Sequence, residues 1–272
     1  MDQLTSDEPS GIKIITDPSV YLIASQQINA DELDQFLLDH GVTWKSDSEV
    51  AAEVITETAG RTCYLSFAKP RPGGNEAYLK HIKESRHGSV LEHAVWTFMI
   101  TGVSRSLTHE FVRHRAGFAY SQLSQRYVDE SIAEYVEPDL LTEYQDLHEI
   151  WLDAMAYAHA AYVKLVAKID EKFKGSMLLP TEPTARRKAI RQAARSVLPN
   201  ATETKITVTG NARALRHFLE QRGSEFAEPE IRKLAVKMLD ILQVEAPKMF
   251  GDYECSKLPD GSWSINTEFR KV

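Results

Sequence analysis

A run of basic and hydrogen-bonding side chains near the middle of the chain limits most strongly what this sequence can form. The run begins with Arg113-His114-Arg115 and ends with Tyr120-Ser121-Gln122-Leu123-Ser124-Gln125-Arg126-Tyr127. Cations two residues apart repel one another unless an anion lies between them. Arginine binds phosphate or carboxylate through paired hydrogen bonds, and serine and glutamine add neutral ones. The run therefore predicts a site for a phosphorylated small molecule.

Composition narrows the class of protein. The net charge of the 272 residues is −7, so the positive charge is concentrated in local arginine clusters. This distribution suits a focused anion pocket and disfavours a protein that binds nucleic acid in general. No segment approaches the roughly 18 apolar residues of a membrane span. The two cysteines, Cys63 and Cys255, lie far apart in the sequence, which favours a cytoplasmic protein without a disulfide framework.

The pattern of elements favours one α+β domain over residues 11–272, with a mixed or antiparallel sheet, a long helix and further packed helices. Residues 1–10 lack the features of a signal peptide and are expected to be a disordered tail. The predicted strands are 12–15, 20–23, 94–101 and 204–209, with a loop at 70–74 and a strand-like tail after 251. The predicted helices are 30–38 after Asn29, 49–63, 76–86, a helix capped by Ser104 that carries Arg113, 141–173, 184–197, 212–222 after Asn211, and 231–246.

Two histidine-containing segments invite a metal site, which their spacing disfavours. His109-Glu110 would need a histidine at position 113 to complete the helical zinc motif, but Arg113 stands there. Segment 87–93 contains two histidines and a glutamate, yet no cysteine or further histidine follows at ligand spacing. A satisfied hydrogen-bond cluster explains this segment equally well. No metal is predicted.

Two later segments favour an anion. Arg187, Arg191 and Arg195 share one face of a predicted helix, which a solvated surface would explain. However, the small and apolar residues at the C-terminal end of this helix indicate that this end is packed against the protein. A packed Arg195 needs an anionic partner. Asn211 begins the next helix, with Arg213 close behind, and a helix N-terminus offers free N–H groups to a phosphate.

Taken together, these motifs resemble those of the flavin-dependent thymidylate synthases. The family pattern is Arg-His-Arg, a spacer of seven or eight residues, and then Ser; here Arg113-His114-Arg115 is followed after eight residues by Ser124. The spacer is one residue longer than the commoner form, and Ala119 replaces a frequent Ser. Further matches are His87-x-Ser89-x-x-Glu92-His93, Thr101-Gly102-Val103-Ser104-Arg105, Ala193-Ala194-Arg195-x-Val197-Leu198-Pro199 and Thr209-Gly210-Asn211-x-Arg213. The resemblance covers residues 59–252.

This resemblance implies the family's α+β fold, its reaction and its ligands. Members bind FAD, dUMP, methylenetetrahydrofolate and NADPH, and they form homotetramers with active sites between subunits. They transfer a one-carbon unit to C5 of the uracil and reduce it with a flavin hydride, which gives dTMP and serves dTMP biosynthesis. No nucleic-acid or membrane partner is expected.

The same resemblance assigns the site residues by position. For FAD it implies Ser89, Arg113, His114, Arg115, Gln122, Asn211, Ala212, Arg213 and His217. For dUMP it implies Glu110, Phe111, Val112, Arg113, Gln122, Leu123, Ser124, Gln125, Arg126, Arg195 and Arg222. Of these, Arg222 is the expected catalytic residue.

A physical reason supports a catalytic arginine. C5 of uracil is a poor nucleophile, and one solution is attack at C6 by an enzyme thiolate. No cysteine stands beside the anion motifs in the sequence. A cation at N3 instead favours the deprotonated, electron-rich pyrimidine, and the resemblance assigns that cation to Arg222.

Two alternative functions remain open at this point. One is a non-catalytic RNA-binding protein that uses Arg186-Arg187-Lys188, Arg191 and Arg195, although the acidic net charge and the lack of a stacking motif count against it. The other is a flavoenzyme of the same fold that acts on a different pyrimidine.

Overall fold

The computed structural model describes residues 11–69 and 72–272, so the predicted tail at 1–10 and part of the predicted loop at 70–74 lie outside it. The strands are β1 (Lys13–Ile15), β2 (Ser19–Ser25), β3 (Val95–Ser104), β4 (Phe118–Gln122), β5 (Glu134–Val136), β6 (Glu203–Asn211), β7 (Tyr253–Lys257) and β8 (Trp263–Thr267). The helices are α1 (Ala30–Asp39), α2 (Ala51–Thr62), α3 (Gly74–Glu84), α4 (Arg105–Phe111), α5 (Asp139–Thr142), α6 (Gln145–Lys172), α7 (Pro183–Ala194), α8 (Ala212–Arg222), α9 (Pro229–Glu245) and α10 (Pro247–Phe250). The predicted α+β class is confirmed.

The described chain divides into two compact units. Residues 11–18, 101–111 and 121–206 form the first unit, and residues 19–69, 72–100, 112–120 and 207–272 form the second. In the first unit β1 pairs in parallel with β5, and Ile12, Tyr135 and Met155 form a buried apolar cluster there. The extent of a single domain over 11–272 stays a prediction.

Four strands are hydrogen-bonded to one another in the order β2-β3-β6-β4. Each of them contributes residues to the second unit. On β3, Trp96, Phe98 and Ile100 are almost fully buried, and the residues between them are partly exposed. This alternation is what a strand with one buried face requires. An antiparallel pair, β7 with β8, completes the sheet structure of this unit.

Side-chain caps explain why two of the helices begin where the sequence predicts. The side chain of Asn29 accepts a hydrogen bond from the Glu32 N–H and begins α1. In the same way, Oδ1 of Asn211 accepts from the Ala214 N–H at 2.9 Å and begins α8. Such caps satisfy N–H groups that have no partner within the helix.

The helix predicted to carry Arg113 is shorter than expected. Ser104 does cap it, because its Oγ accepts from the Leu107 N–H at 3.0 Å, but the helix ends at Phe111. Arg113 therefore lies in the turn before β4 rather than on α4. The strand predicted at 94–101 extends further than expected, since β3 continues to Ser104 and its last residues are still buried.

Two other predicted helices also differ in the structure. The helix predicted at 141–173 is interrupted, because Tyr144 adopts an extended backbone and its carbonyl accepts from the N–H groups of Leu147 and His148, which starts α6 anew. The helix predicted at 184–197 is helical only to Ala194, and Arg195–Val197 continues as a 3-10 turn. None of the helices in the described chain is long and apolar enough to cross a membrane.

A buried cluster of charges joins distant parts of the second unit. Asp252, whose side chain is 6% exposed, accepts hydrogen bonds from Nζ of Lys83 at 2.7 Å and from both Nη atoms of Arg216 at 2.8 Å. Burial alone would raise the pKa of Asp252, but these two cations outweigh it and lower the pKa to about 2. The carboxylate thus neutralises cations on α3 and α8.

We expect Asp252→Asn to lower the free energy of unfolding by about 3–5 kcal/mol at pH 7, because it leaves two buried cations without their anion. In the wild-type protein the stabilisation is complete above the ordinary carboxyl pKa and is lost as the pH falls from about 4 towards 2, for a total of about 2.5 kcal/mol. Denaturant unfolding of both proteins across this pH range measures these losses.

The exposed carboxylate Asp34 on α1 supplies the control, and Asp34→Asn should change stability by less than about 0.5 kcal/mol. Equal stability of Asp252→Asn and wild type at pH 7 would contradict the importance of the charge cluster.

Candidate functional site

The turn that carries the Arg-His-Arg motif is held against the start of α8. Gly117 has a φ of +74°, which favours glycine, and a Cβ there would approach the side chains of Asn211 and Ala214 to 2.7 Å. Its carbonyl accepts from the Asn211 N–H at 3.0 Å. The hydroxyl of Tyr120 donates to the His114 carbonyl at 2.7 Å. These contacts fix the backbone path of the motif.

A cavity of about 420 Å³ lies between this turn and α8 within the second unit. It is lined by Arg113, His114, Arg115, Ala116, Phe118, Ala214, His217, Gln221 and Arg222. Positions 214, 217 and 221 recur at three- and four-residue steps, so they share one face of the helix. Next to this face, Leu215, Phe218 and Leu219 are fully buried. The cavity therefore brings together five of the predicted site residues.

His114 is the central side chain of this cavity. Its Nε2 lies 3.0 Å from Nε of Arg222, and its ring contacts the rings of Phe218 and His217 at centroid distances of 5.5 and 5.8 Å. Burial, together with the charges of Arg222 and His217, lowers the pKa of His114 to about 4. The imidazole is therefore neutral at pH 7. Because guanidinium only donates, Nε2 is the acceptor and the ring proton is assigned to Nδ1.

Other residues predicted for FAD lie elsewhere in the second unit. Ser89 and Arg213 line a second cavity of about 550 Å³, together with Cys63, Tyr64 and His87. Arg213 also pairs with Glu92 at 2.6 Å. Neither Asn211 nor Ala212 lines either of the two cavities; Asn211 caps α8 and Ala212 is buried. Cys63 is distant from the anion motifs in the sequence but lines the same cavity as Ser89 and Arg213. Its Sγ donates to the Ala59 carbonyl at 3.4 Å.

Most residues predicted only for dUMP belong to the first unit. There Nε2 of Gln122, predicted for both ligands, donates to the hydroxyls of Thr108 at 3.0 Å and Thr204 at 3.3 Å. The next residue, Leu123, donates its N–H to the Lys205 carbonyl, so this segment is anchored to the start of β6. Ser124 then begins a turn, because its carbonyl accepts from the Tyr127 N–H at 3.0 Å.

Three buried donor atoms of the first unit have no acceptor among the described residues. They are Nη1 of Arg105, Nε2 of Gln125 and Nε of Arg126. Burying a donor without a partner costs free energy, so such atoms require an explanation. Arg195 lies close enough to Arg105 to lower the pKa of that guanidinium, after burial and against the opposing effect of Glu130. An oxyanion is the kind of acceptor that satisfies donors of this type.

The remaining predicted residues have plainer positions. Glu110 is partly buried near the end of α4, Phe111 is buried, and Val112 is partly buried in the turn that follows. Arg105 was absent from the predicted contacts, although its place in the Val103-Ser104-Arg105 match was a signal for it. No cluster of three or more potential metal-ligating side chains occurs within residues 11–69 and 72–272.

An α+β chain with a neutral histidine in an arginine-lined cavity and unsatisfied donors in its first unit has the features of a protein that binds anionic ligands. Residues 47–248 match the family described as "Thymidylate synthase complementing protein". The chain is 49% identical to a protein of Mycobacterium sp. (strain JLS) named "Flavin-dependent thymidylate synthase". The matched region of 230 residues covers 84% of this chain and 90% of that protein. The chain is 48% identical to the protein of that name from Mycobacterium tuberculosis (strain CDC 1551 / Oshkosh), over 84% and 89% of the two chains. The chain belongs to the flavin-dependent thymidylate synthase family.

Solved structures agree with the fold. The UMP/dUMP methylase PolB from Streptomyces cacaoi, in crystals with 5-Br dUMP, superposes with a TM-score of 0.61 over 88% of this chain and 96% of that chain. The same methylase with 5-Br UMP gives a TM-score of 0.61. At 20% and 21% identity, these likenesses concern the fold alone.

The neutral state of His114 can be tested directly. In protein with isotope-labelled histidine, NMR titration should give His114 a pKa of about 4. Arg222→Gln removes a neighbouring cation and should raise that pKa by about one unit. Arg115 lines the same cavity, and Arg115→Gln should leave the His114 pKa unchanged to within about 0.3 units. A wild-type value near the ordinary 6.5 would contradict this description.

Proposed function

We propose that this chain is a flavin-dependent thymidylate synthase that methylates dUMP to dTMP. In this proposal FAD is the cofactor, methylenetetrahydrofolate the one-carbon donor and NADPH the reductant, and the enzyme works as a homotetramer. Near 50% identity to proteins of that name supports the reaction class. The observation that carries the choice of a nucleotide monophosphate is the set of buried, unsatisfied donors on Arg105, Gln125 and Arg126.

The dianionic phosphate of dUMP fits these donors. Each charge-assisted hydrogen bond contributes about 1.5–3 kcal/mol, more than a neutral one. Arg105 and Arg195 lie near one another, and two cations held this close are stabilised by a dianion placed between them. We assign the phosphate to Arg105, Arg126 and Arg195, with Gln125 as a neutral donor.

FAD fits the cavities of the second unit by the chemistry of their lining. Arg113 and Arg115 are cations that suit its pyrophosphate, and Phe118 gives the same cavity an apolar wall. When bound, FAD would supply the hydride that reduces the transferred carbon. Protein side chains hold and orient the reactants.

Arg222 is assigned the role of the cation at N3 of the uracil. Its Nε donates to the neutral His114, which fixes the orientation of the guanidinium without cancelling its charge. A nearby cation lowers the pKa of an acidic N–H by roughly 1–3 units. The uracil anion that results is the more nucleophilic at C5.

We expect Arg222→Ala to reduce kcat by about 10- to 1,000-fold, which corresponds to the loss of one to three pKa units of stabilisation at N3. Cys63→Ala and Cys255→Ala should change kcat by less than about twofold. The measurement is dUMP-dependent formation of dTMP by protein reconstituted with FAD. Because Cys63 lines the cavity of Ser89 and Arg213, it is the stricter of the two controls. Loss of activity in a cysteine variant, with an active Arg222→Ala, would overturn the role of Arg222.

Arg126→Gln should raise the KM for dUMP by about 10- to 100-fold, because it removes a charge-assisted contact to the phosphate. Its effect on kcat should be much smaller. The matched control is Arg186→Gln, since Arg186 lies in the same unit but already pairs with Asp170 at 2.9 Å. An unchanged KM in Arg126→Gln would contradict the phosphate assignment.

Two ion pairs of the first unit count against the RNA-binding alternative. The RNA-binding alternative needs exposed cations that are not already paired, but Arg186 is paired with Asp170, and Arg191 with Asp129 at 2.9 Å.

Flavin binding can be tested directly. Purified protein should be yellow or turn yellow on addition of FAD, with a visible spectrum that changes when dUMP is added. A colourless protein that takes up no FAD would refute the proposed function as a whole.

A further inference from the structure

Glu130 is a buried carboxyl group of the first unit that the proposed reaction does not use. The residue is 4% exposed, and its Oε1 has no hydrogen-bond partner among the described residues. Its backbone is held in place, because the Glu130 N–H donates to the hydroxyl of Tyr162 on α6 at 3.3 Å. An unsatisfied buried carboxyl is costly and calls for a functional or structural explanation.

The surroundings of Glu130 contain groups of both signs on several elements. They are Arg105 on α4, Glu203 and Lys205 on β6, the adjacent Asp129, Tyr135 on β5 and Tyr162 on α6. Burial raises the pKa of Glu130 to about 7, although Arg105 opposes this effect more than any other charge. Both protonation states are therefore populated at neutral pH.

Arg105 connects this carboxyl to the residues assigned to the phosphate. Its pKa is lowered by burial, raised by the charge of Glu130 and lowered by Arg195. Its backbone N–H is fixed to the Thr202 carbonyl at 3.1 Å, and its Nη1 is buried without an acceptor. The guanidinium thus lies under the influence of a carboxyl group and of a second arginine.

We infer that Glu130 is a positioning residue that acts through Arg105 and couples the uptake of a proton to the binding of the nucleotide phosphate. This inference rests on the proposed function. A phosphate and an ionised Glu130 would both use the charge of one guanidinium, and two like charges near each other are unfavourable. Binding of the phosphate therefore favours protonated Glu130, which does not compete for the charge of Arg105.

Linkage makes this coupling reciprocal. If the bound phosphate raises the affinity of Glu130 for a proton, protonation of Glu130 raises the affinity for the phosphate by the same factor. Affinity for dUMP should accordingly fall as the pH rises through about 7 and the carboxyl ionises. In Glu130→Gln, the side chain stays neutral and keeps its size, so this part of the pH dependence should disappear.

The test is calorimetric titration of the FAD-loaded enzyme with dUMP at pH 7, in buffers that differ in ionisation enthalpy. The number of protons taken up per nucleotide follows from the dependence of the heat on the buffer. A rise of one unit in the Glu130 pKa corresponds to an uptake of about 0.4 protons. We expect Glu130→Gln to lower the proton number by that amount and to bind dUMP about fivefold more tightly than wild type at pH 8.

Two comparisons isolate Glu130 from other titrations. The phosphate of dUMP itself titrates near pH 6, but it contributes equally to wild type and variant and so cancels in the difference. Glu143→Gln alters an exposed glutamate of the same unit and should retain the wild-type proton number. A purely structural Glu130 would change the melting temperature of the variant without changing the proton number.

The outcomes separate this inference from the function on which it rests. Absence of dUMP binding by the wild-type enzyme at every pH would refute the proposed function. Normal binding with the same proton number in wild type and Glu130→Gln would refute the inference alone. If the variant does not fold, infrared difference spectra of wild-type enzyme decide the question: dUMP should increase the carbonyl stretch of a protonated carboxyl, and no increase would overturn the inference.

Discussion

Arg222 can donate its Nε hydrogen to His114 only while the imidazole is uncharged, and the organisation of the second unit keeps it so. Burial between the turn at 113–117 and α8 removes the water that would stabilise an imidazolium, and Arg222 and His217 add repulsion. The neutral ring is then an acceptor placed 3.0 Å from a permanent cation. A protonated histidine at this position would have no acceptor atom for the Arg222 N–H, and its positive charge would repel the guanidinium.

The first unit shows the complementary situation, in which donors outnumber acceptors. Arg105, Gln125 and Arg126 each keep a buried hydrogen-bonding atom without a partner among the described residues. The folded chain bears this cost in advance, so an oxyanion that meets the donors recovers it on binding. Hydrogen bonds from Gln122 and Leu123 to neighbouring elements of the same unit hold this segment in position.

Capping side chains predicted where two of the helices begin. Asn29 and Asn211 begin helices as expected, because a capping side chain acts within three residues of itself. The helix that was predicted to carry Arg113 ends at Phe111, and the long helix is interrupted at Tyr144. An apolar repeat alone does not show such breaks, since the residues on both sides of Tyr144 keep helical spacing.

The sequence alone determined the inventory of the site: the arginines, the histidines, the spacing that reveals the family, and the caps that start α1 and α8. Only the tertiary structure decided the chemical state of those groups and which of them meet. It placed Cys63 on the cavity of Ser89 and Arg213, buried Glu130 within the electrostatic influence of Arg105, and removed the charge of His114. The physical reason is that ionisation and hydrogen bonding depend on burial and on neighbours far away in the chain, which no local pattern of residues encodes.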